Sequence, residues 1–220
     1  MKLWMLWPAV AGMVAAVPAA AQDGVRVSAG ITGGSLGIGP ELGLRLSDHI
    51  GVRASGTFLN VGGSFDSSDI KYDGDLKLKS YGAMIDVHPF GGSFRISGGA
   101  RINKNRVDVR ATPTGTVTVG GEDYTAAEVG VLSGGADVKE VAPAVTIGWG
   151  GSRRRGFLFG FDAGVLFQGR VRLREFTATG TAANDPDFRA SLEAERRDLQ
   201  DDIDKVKIYP IVQATIGWRF

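Results

Sequence analysis

The sequence ends in QATIGWRF, residues 213–220, and this stretch decides the fold. Its even-numbered positions carry Ala214, Ile216, Trp218 and Phe220, whereas the positions between them are small or polar. Apolar and polar residues that alternate with a period of two predict a β-strand whose two faces meet different environments. The nature of those two environments determines what kind of protein this is.

The same alternation recurs along the chain and predicts about eight strands. The segments that carry it are 25–32, 36–46, 50–58, 80–87, 94–103, 141–149, 156–173 and 208–220. Short turns begin at Ser47, His88 and Gly150. Long connections cover 61–74, 111–139 and 175–205, and the glycine-rich GGSLGIG (33–39) forms a tight first hairpin. Short turns at one end and long loops at the other are typical of outer-membrane barrels.

The alternation leaves open which face is wet, because a soluble barrel has the same pattern turned inside out. The polar face is rich in Gly, Ser, Thr and Arg, whereas a water-facing strand surface usually carries many Lys and Glu. Trp149, Phe157 and Trp218 fall near the short-turn end, where an aromatic girdle is expected. These features predict an all-β, antiparallel up-and-down transmembrane β-barrel of about eight strands, with short helices in the extracellular loops. A soluble lipocalin-like or sandwich fold is the alternative.

The composition excludes several classes of function. The 25 basic and 24 acidic side chains nearly cancel, so no overall charge indicates a nucleic-acid partner. With no cysteine and two histidines among 220 residues, the sequence offers neither disulfides nor a metal site. We expect no cofactor.

The first residues have the features of a secretory signal. Lys2 provides a positive charge, an apolar run follows, and an Ala-x-Ala site precedes Gln22. We therefore divide the chain into a signal peptide, residues 1–21, and a barrel domain, residues 22–220. An uncleaved membrane anchor is the alternative interpretation.

A cleaved signal, about eight amphipathic strands and a last strand that ends in alternating apolar residues resemble the small outer-membrane β-barrel family of Gram-negative bacteria. The resemblance implies a location in the outer membrane, reached through the periplasm. It also implies that Ile216, Trp218 and Phe220 form a signal read by the barrel assembly machinery. The expected partners are outer-membrane lipid and lipopolysaccharide, with no nucleic acid and a monomeric barrel.

The resemblance does not fix a function, so three hypotheses remain. The first is a structural or interaction barrel whose lumen is filled by side chains. The second is a narrow, porin-like channel for small or hydrophobic solutes. The third is an outer-leaflet lipid-modifying enzyme, which the sequence disfavours because His49 and His88 both fall at periplasmic turns, where we expect them to be solvated. We therefore predict no catalytic residues.

Two groups of charged residues are predicted from the strand register. Inward-facing charges should form an ion-pair network in the periplasmic half of the lumen, because unpaired charges in so narrow a space are costly. This network comprises Arg26, Glu41, Arg45, Arg53, Asp86, Arg95, Arg101, Asp162 and Arg219. Pairing Val87 with Ile96 also brings four outward-facing cations together at the outer rim, where they could bind lipopolysaccharide phosphates or mark the membrane boundary. This basic rim comprises Lys77, Lys79, Lys104 and Arg106.

The long loops contain two helix signals. Thr125 and Glu128 form a capping box, which predicts a helix of about two turns. Asp185 and Pro186 resemble an N-cap and first helical position, and helical apolar spacing predicts a helix over about 186–204. This charged helix could be a partner or lid surface, or it could pack against its own loop.

The last strand provides the first test. Replacing Phe220 with Asp puts a charge at the end of the apolar face, so we expect slower assembly and protein left in the periplasm. Heat-modifiable migration on unboiled gels measures the folded fraction over time. Assembly of Phe220→Asp at the wild-type rate would contradict the assembly-signal hypothesis.

Overall fold

The computed structural model describes residues 25–67, 69–150, 155–205 and 207–220. The predicted signal peptide, residues 1–21, lies outside the described residues. The elements in chain order are β1 (Arg26–Gly34), β2 (Gly37–Arg45), β3 (Ile50–Ser67), β4 (Ile70–Val87), β5 (Phe94–Asn103), β6 (Arg106–Pro113), β7 (Val117–Val119), β8 (Glu122–Tyr124), α1 (Ala126–Val129), β9 (Leu132–Asp137), β10 (Val141–Gly150), β11 (Gly156–Leu166), β12 (Arg172–Leu173), α2 (Pro186–Ile203) and β13 (Tyr209–Arg219).

Eight of the described strands close into a ring, in the order β1, β2, β3, β4, β5, β10, β11 and β13. Each strand is antiparallel to its neighbours, and β13 closes the ring by pairing with β1 from Ser28↔Arg219 to Gly34↔Gln213. The predicted pairing of Val87 with Ile96 is the observed one. The fold is therefore an antiparallel up-and-down transmembrane β-barrel, which confirms the predicted fold class.

The two faces of the ring differ sharply in burial. Outward-facing apolar side chains such as Leu42, Ile96 and Ile216 are exposed, while inward-facing ones such as Leu158 and Met84 are buried. In a soluble protein an apolar surface of this extent would be costly, but it suits contact with hydrocarbon.

Aromatic side chains gather outside the short-turn end of the ring. The Phe94 and Trp149 rings lie 5.3 Å apart between centroids, and Phe90 packs 6.1 Å from Phe94. Phe157 and Trp218 are paired across β11 and β13 and are also exposed. This belt is the aromatic girdle that the sequence predicts at this end.

The predicted long loop over 61–74 is wrong, because β3 and β4 continue through it as an 18-residue hairpin pair. The alternation does not stop there but changes phase. Outward-facing Phe58 is followed on its face by polar Asn60, while Leu59 and Val61 take the face that continues the lumen side. Because the apolar face changes sides, the pattern no longer matches a membrane strand, although the backbone pairing is unbroken.

The long-loop end carries an additional sheet. Beyond Ser80 the strand β4 leaves β5 and pairs with β6, which pairs with β9, which in turn pairs with β12. We call the outer halves of β3 and β4, together with β6 to β9, β12 and both helices, the outer lobe. The lobe is a folded extension of the barrel wall, in which strands form over 61–74 and in parts of 111–139, and α2 forms within 175–205.

Both predicted helix starts are confirmed. Thr125 and Glu128 form the capping box of α1, and the Asp185 side chain accepts hydrogen bonds from the backbone N–H groups of Asp187 and Phe188 at the start of α2. Phe188 is buried with Val129 in the core of the lobe, where Tyr124 meets the Phe188 ring edge-on at 4.7 Å. The helix therefore packs against the connection over 111–139 as well as on residues of its own connection such as Phe176.

None of the described helices combines the length and apolar character that a helical membrane crossing requires.

Leu36 departs from the predicted pattern. The alternation places its side chain on the outward face, but it is 2% exposed and packs inside the ring. The following Gly37 has a φ of 97°, a conformation that favours glycine, and this turn directs Leu36 over the barrel mouth.

The change of phase in β3 and β4 makes a sharp prediction about the membrane boundary. The chain contains no cysteine, so single cysteines can be introduced without background. In intact cells we expect a membrane-impermeant maleimide to label Asn60→Cys and its cross-strand partner Lys77→Cys, but not Phe58→Cys or Ala83→Cys. Labelling of all four variants, or of none, would contradict the boundary between Phe58 and Asn60.

Candidate functional site in the barrel lumen

Arg53 is the centre of a charge network that crosses the lumen. Its Nε atom donates to Asp86 Oδ2 at 2.7 Å, and its Nη1 atom donates to Glu41 Oε2 at 3.3 Å and to Asp162 Oδ2 at 3.1 Å. Its Nη2 atom reaches Ser97 Oγ at 3.2 Å. These partners come from β2, β4, β5 and β11, so one planar guanidinium connects five strands of the ring.

A second arginine completes this layer. Arg95 donates from Nε and Nη2 to the two oxygens of Asp162, at 3.0 and 2.5 Å. Ser97 Oγ donates to Asp86 Oδ1 at 2.6 Å. Bidentate contacts of this kind fix the geometry as well as the charge, so the layer is held rigidly across the lumen.

Two glycines of β10 make room for these side chains. A Cβ atom at Gly150 would overlap the Arg95 guanidinium, and one at Gly148 would overlap the Asp162 carboxylate. The glycine content of the inward face therefore has a steric reason, because the interior of an eight-stranded ring has space for large side chains from only some positions.

Other predicted members of the network donate to hydroxyl and carbonyl groups. Arg101 donates to Ser80 Oγ at 2.8 Å and to Ser55 Oγ at 2.9 Å. Arg45 donates to backbone carbonyls, including Asp48 O at 2.7 Å and Gly91 O at 3.1 Å. Arg45 thus ties together the two turns at the short-turn end.

The remaining members lie closer to the short-turn rim. Arg26 contacts Asp48 at 3.6 Å and both side chains are partly exposed. Arg219 is buried and donates to Gly150 O at 3.4 Å. His88 is 4% exposed and its Nδ1 atom lies 3.0 Å from Phe94 O, so the expectation of a solvated side chain is wrong for His88 and correct for exposed His49. The turn after β4 folds the His88 ring back into the barrel end.

An apolar layer fills the lumen on the long-loop side of the charge network. Leu36, Met84, Leu166 and Ile211 are buried together there, with Ala142 and Ala144. The first hairpin turn is fixed over this layer, because Ser35 Oγ donates to Pro210 O at 2.9 Å and Leu36 N donates to Gln213 Oε1 at 3.3 Å. The inward-facing Leu166 and Ile211 could have been recognised from the strand alternation as part of this layer. The turn that brings Leu36 into it could not be recognised from the sequence.

Two small cavities remain in the lumen of the described barrel. Each has a volume of about 30 Å³, and Glu41 and Arg53 line both. A cavity of this size holds about one or two water molecules. The Arg53 side chain therefore borders two spaces that are each large enough for only about one or two water molecules.

The basic rim is brought together as the register predicts, but its charges are largely balanced. Lys77 pairs with Arg106 across β4 and β6, and Lys104 N donates to Lys79 O at 2.8 Å. The carboxylates nearest to three of the four cations are Asp108 for Lys77 (3.2 Å), Glu140 for Lys104 (3.5 Å) and Asp137 for Arg106 (3.1 Å). The rim is a mixed-charge surface, and its binding to lipopolysaccharide stays a prediction.

Arg174, which the strand pattern did not single out, connects this surface to the rest of the outer lobe. It forms an ion pair with Asp108 and lies 3.6 Å from Asp137. The hydrogen bond from Arg174, aided by Lys77, lowers the pKa of Asp108 from its usual value. Asp108 therefore stays ionised at neutral pH and joins β6 to the segment after β12.

The predicted assembly residues lie on the outward face of the last strand. Ile216 and Trp218 pair with Ile31 and Ala29 of β1, and Phe220 N donates to Val27 O at 2.9 Å. Within the described ranges, no group of three or more His, Cys, Asp or Glu residues could hold a metal ion.

The charge network predicts a large effect of removing its centre. Arg53→Met would leave three carboxylates without their shared partner, and removing one member of a buried ion pair typically costs about 3–5 kcal/mol. We expect a loss of that size in the free energy of unfolding, measured by urea titration in lipid vesicles. The matched control is Arg106→Met in the exposed rim, where we expect a change of about 0.5 kcal/mol or less. Equal losses in the two variants would contradict a structural role for Arg53.

No protein-family model matches this sequence, and no curated protein sequence matches it. The solved structures similar in fold include the crystal structures of CarO and CarO2 from Acinetobacter baumannii. The CarO match has a TM-score of 0.58 at 16% identity and covers 88% of this chain and 97% of that chain. The CarO2 match has a TM-score of 0.60 at 17% identity and covers 89% and 98%. At these identities the similarity establishes the fold, so this chain has the outer-membrane β-barrel fold seen in the CarO structures.

Proposed function

We propose that this protein is a structural or interaction barrel of the Gram-negative outer membrane, with a closed lumen and an outer lobe presented at the cell surface. The fold shared with the CarO structures and the signal-like N-terminal sequence support the location. The barrel assembly machinery would insert it as a monomer with both termini in the periplasm.

The contacts of Arg53 carry the proposal of a closed lumen. One guanidinium holds Glu41, Asp86 and Asp162 from three different strands, and Arg95 holds Asp162 from a fourth. The apolar layer around Leu36 then covers the network on the long-loop side. An ion entering this lumen would have to break buried ion pairs and also cross a dry layer, both of which are costly.

The outer lobe supports the interaction part of the proposal. Its sheet presents an apolar face that continues the lumen side, and Phe65 in this face is 62% exposed and stacks on Tyr72 at 5.0 Å. Val107 and Val109 on β6 are also exposed. A folded lobe with exposed apolar side chains, held rigidly by the barrel wall, is suited to contacts at the cell surface.

A narrow channel is the second candidate. The observation that favours it is that Arg53 and Glu41 line both lumen cavities, so movement of one side chain would join them. In that case the charge network would be a gate, and the apolar layer would have to open with it.

Planar-bilayer recording distinguishes the two candidates. We expect no discrete current steps from the folded wild-type protein. We also expect none from Arg53→Ala alone, because Leu36 and its neighbours still fill the long-loop side. The double variant Arg53→Ala, Leu36→Ala removes both layers, and we expect it to conduct if it folds, as judged by heat-modifiable migration.

Discrete steps from the wild-type protein, with an amplitude or open time that changes in Arg53→Ala, would overturn the closed-lumen proposal in favour of the channel. The variant Ala214→Leu on the outward face is a control for changes in insertion, since Ala214 does not contact the lumen layers.

A further inference from the structure

A concave patch lies on the outward face of the ring where β2, β3, β4, β5 and β10 adjoin. It has a volume of about 530 Å³. Its floor is made by small residues that are neighbours across the strands: Ala54 pairs with Ala83, and Ala83 pairs with Ala100. Gly56 extends the floor beside Tyr81. We call this patch the wall groove.

Larger apolar side chains surround the floor of the wall groove. Leu42 bounds it on the β2 side, and Tyr81, Ile102 and Val141 bound it towards the long-loop end. All four are exposed. The groove is concave because three consecutive strands carry Ala at the same level, while the adjacent levels carry Tyr81 and Ile102 on one side and Ile85 on the other. A concavity of this kind on a membrane-facing wall accepts a hydrocarbon chain.

The upper end of the wall groove lies directly beneath two lysines. Tyr81 and Ile102 pair across β4 and β5, and the next residues on the same face are Lys79 and Lys104. The Lys79 Nζ atom lies 5.7 Å from the centre of the Tyr81 ring. The apolar groove and the two ammonium groups are therefore one continuous surface.

These two lysines are the members of the basic rim that are most available to an anion. Within the described residues, no carboxylate lies within ion-pair distance of Lys79. Lys104 has Glu140 at 3.5 Å, but both side chains are more than half exposed, and a pair of that kind contributes little. Lys77 and Arg106 are instead committed to Asp108 and Asp137.

We propose that the wall groove and the two lysines form a binding site for one phosphorylated lipid of the outer leaflet, the lipid A part of lipopolysaccharide. One acyl chain lies in the groove over Ala83, and a phosphate group lies between Lys79 and Lys104. The charge of the lysines complements phosphate, and their position marks the boundary of the apolar belt, where a lipid phosphate sits. The proposal rests on the outer-membrane orientation given above and is independent of whether the lumen conducts.

Native mass spectrometry of the folded protein in detergent tests the site directly. The probes are bisphosphorylated lipid A, the same lipid with both phosphates removed, and phosphatidylethanolamine. We expect a one-to-one adduct of the wild-type protein with bisphosphorylated lipid A. The double variant Lys79→Gln, Lys104→Gln should lower its affinity by about tenfold or more. Ala83→Leu fills the groove with an apolar side chain and should also abolish the adduct.

Two matched controls separate this site from general effects. Lys71→Gln removes a cation from the same face of β4 further from the membrane, and Ala214→Leu adds the same bulk to the outward face of β13. Both should bind lipid A as the wild-type protein does. Wild-type affinity in Ala83→Leu would overturn the groove, and equal affinity for dephosphorylated lipid A would overturn the phosphate contact.

The orientation is checked separately. Failure of the impermeant maleimide to label Lys71→Cys, which lies on β4 outside the proposed lipid site, would show that the outer-membrane orientation is wrong. Normal labelling together with unchanged lipid A binding in all the variants would overturn the lipid site alone.

Discussion

The constraint on which the structure depends is that hydrocarbon offers no hydrogen-bond partner to the backbone, so each strand in the apolar belt must pair on both sides. The pairing of β1 with β13 meets this requirement by closing the ring, from Ser28↔Arg219 to Gly34↔Gln213. Once eight strands close in this way, the interior has a fixed and small width. That width determines which side chains can fill the lumen and how closely they must pack.

A narrow interior cannot leave charged groups in bulk water, so the inward-facing charges must satisfy one another. Arg53 meets this need because a guanidinium can donate to several carboxylates in one plane. The glycines Gly148 and Gly150 leave the space that the side chains of Asp162 and Arg95 occupy. The lumen is thus filled by large side chains from some strands that lie opposite glycines of others. The charged side chains form one layer, and the apolar side chains around Leu36 form the next.

The same backbone pairing extends beyond the belt into water, where the demands on the side chains reverse. In β3 and β4 the outward face changes from apolar to polar between Phe58 and Asn60 and between Tyr81 and Lys79, while the register between the strands stays constant. The outer half of β3 has β4 as its only strand partner among the described residues. An unpaired strand edge is possible there because water can hydrogen-bond to it, which hydrocarbon cannot.

The sequence by itself determined the fold class, the β4–β5 register and both helix starts, because these depend on local periodicity, turn length and capping chemistry. It also placed Arg53, Asp86 and Asp162 on the inward face. It could not say that Arg53 and Asp162, 109 positions apart, share a hydrogen bond, or that Arg101 binds hydroxyl groups of Ser80 and Ser55. Periodicity reports that two faces differ, but not which solvent each one meets. For this reason the wall groove and the contacts across the lumen were decided only by the closure of the ring, which sets where each face points and which distant side chains meet. The hairpin over 61–74 and the inward turn of Leu36 were decided by the continued pairing of β3 with β4 and by the conformation of Gly37.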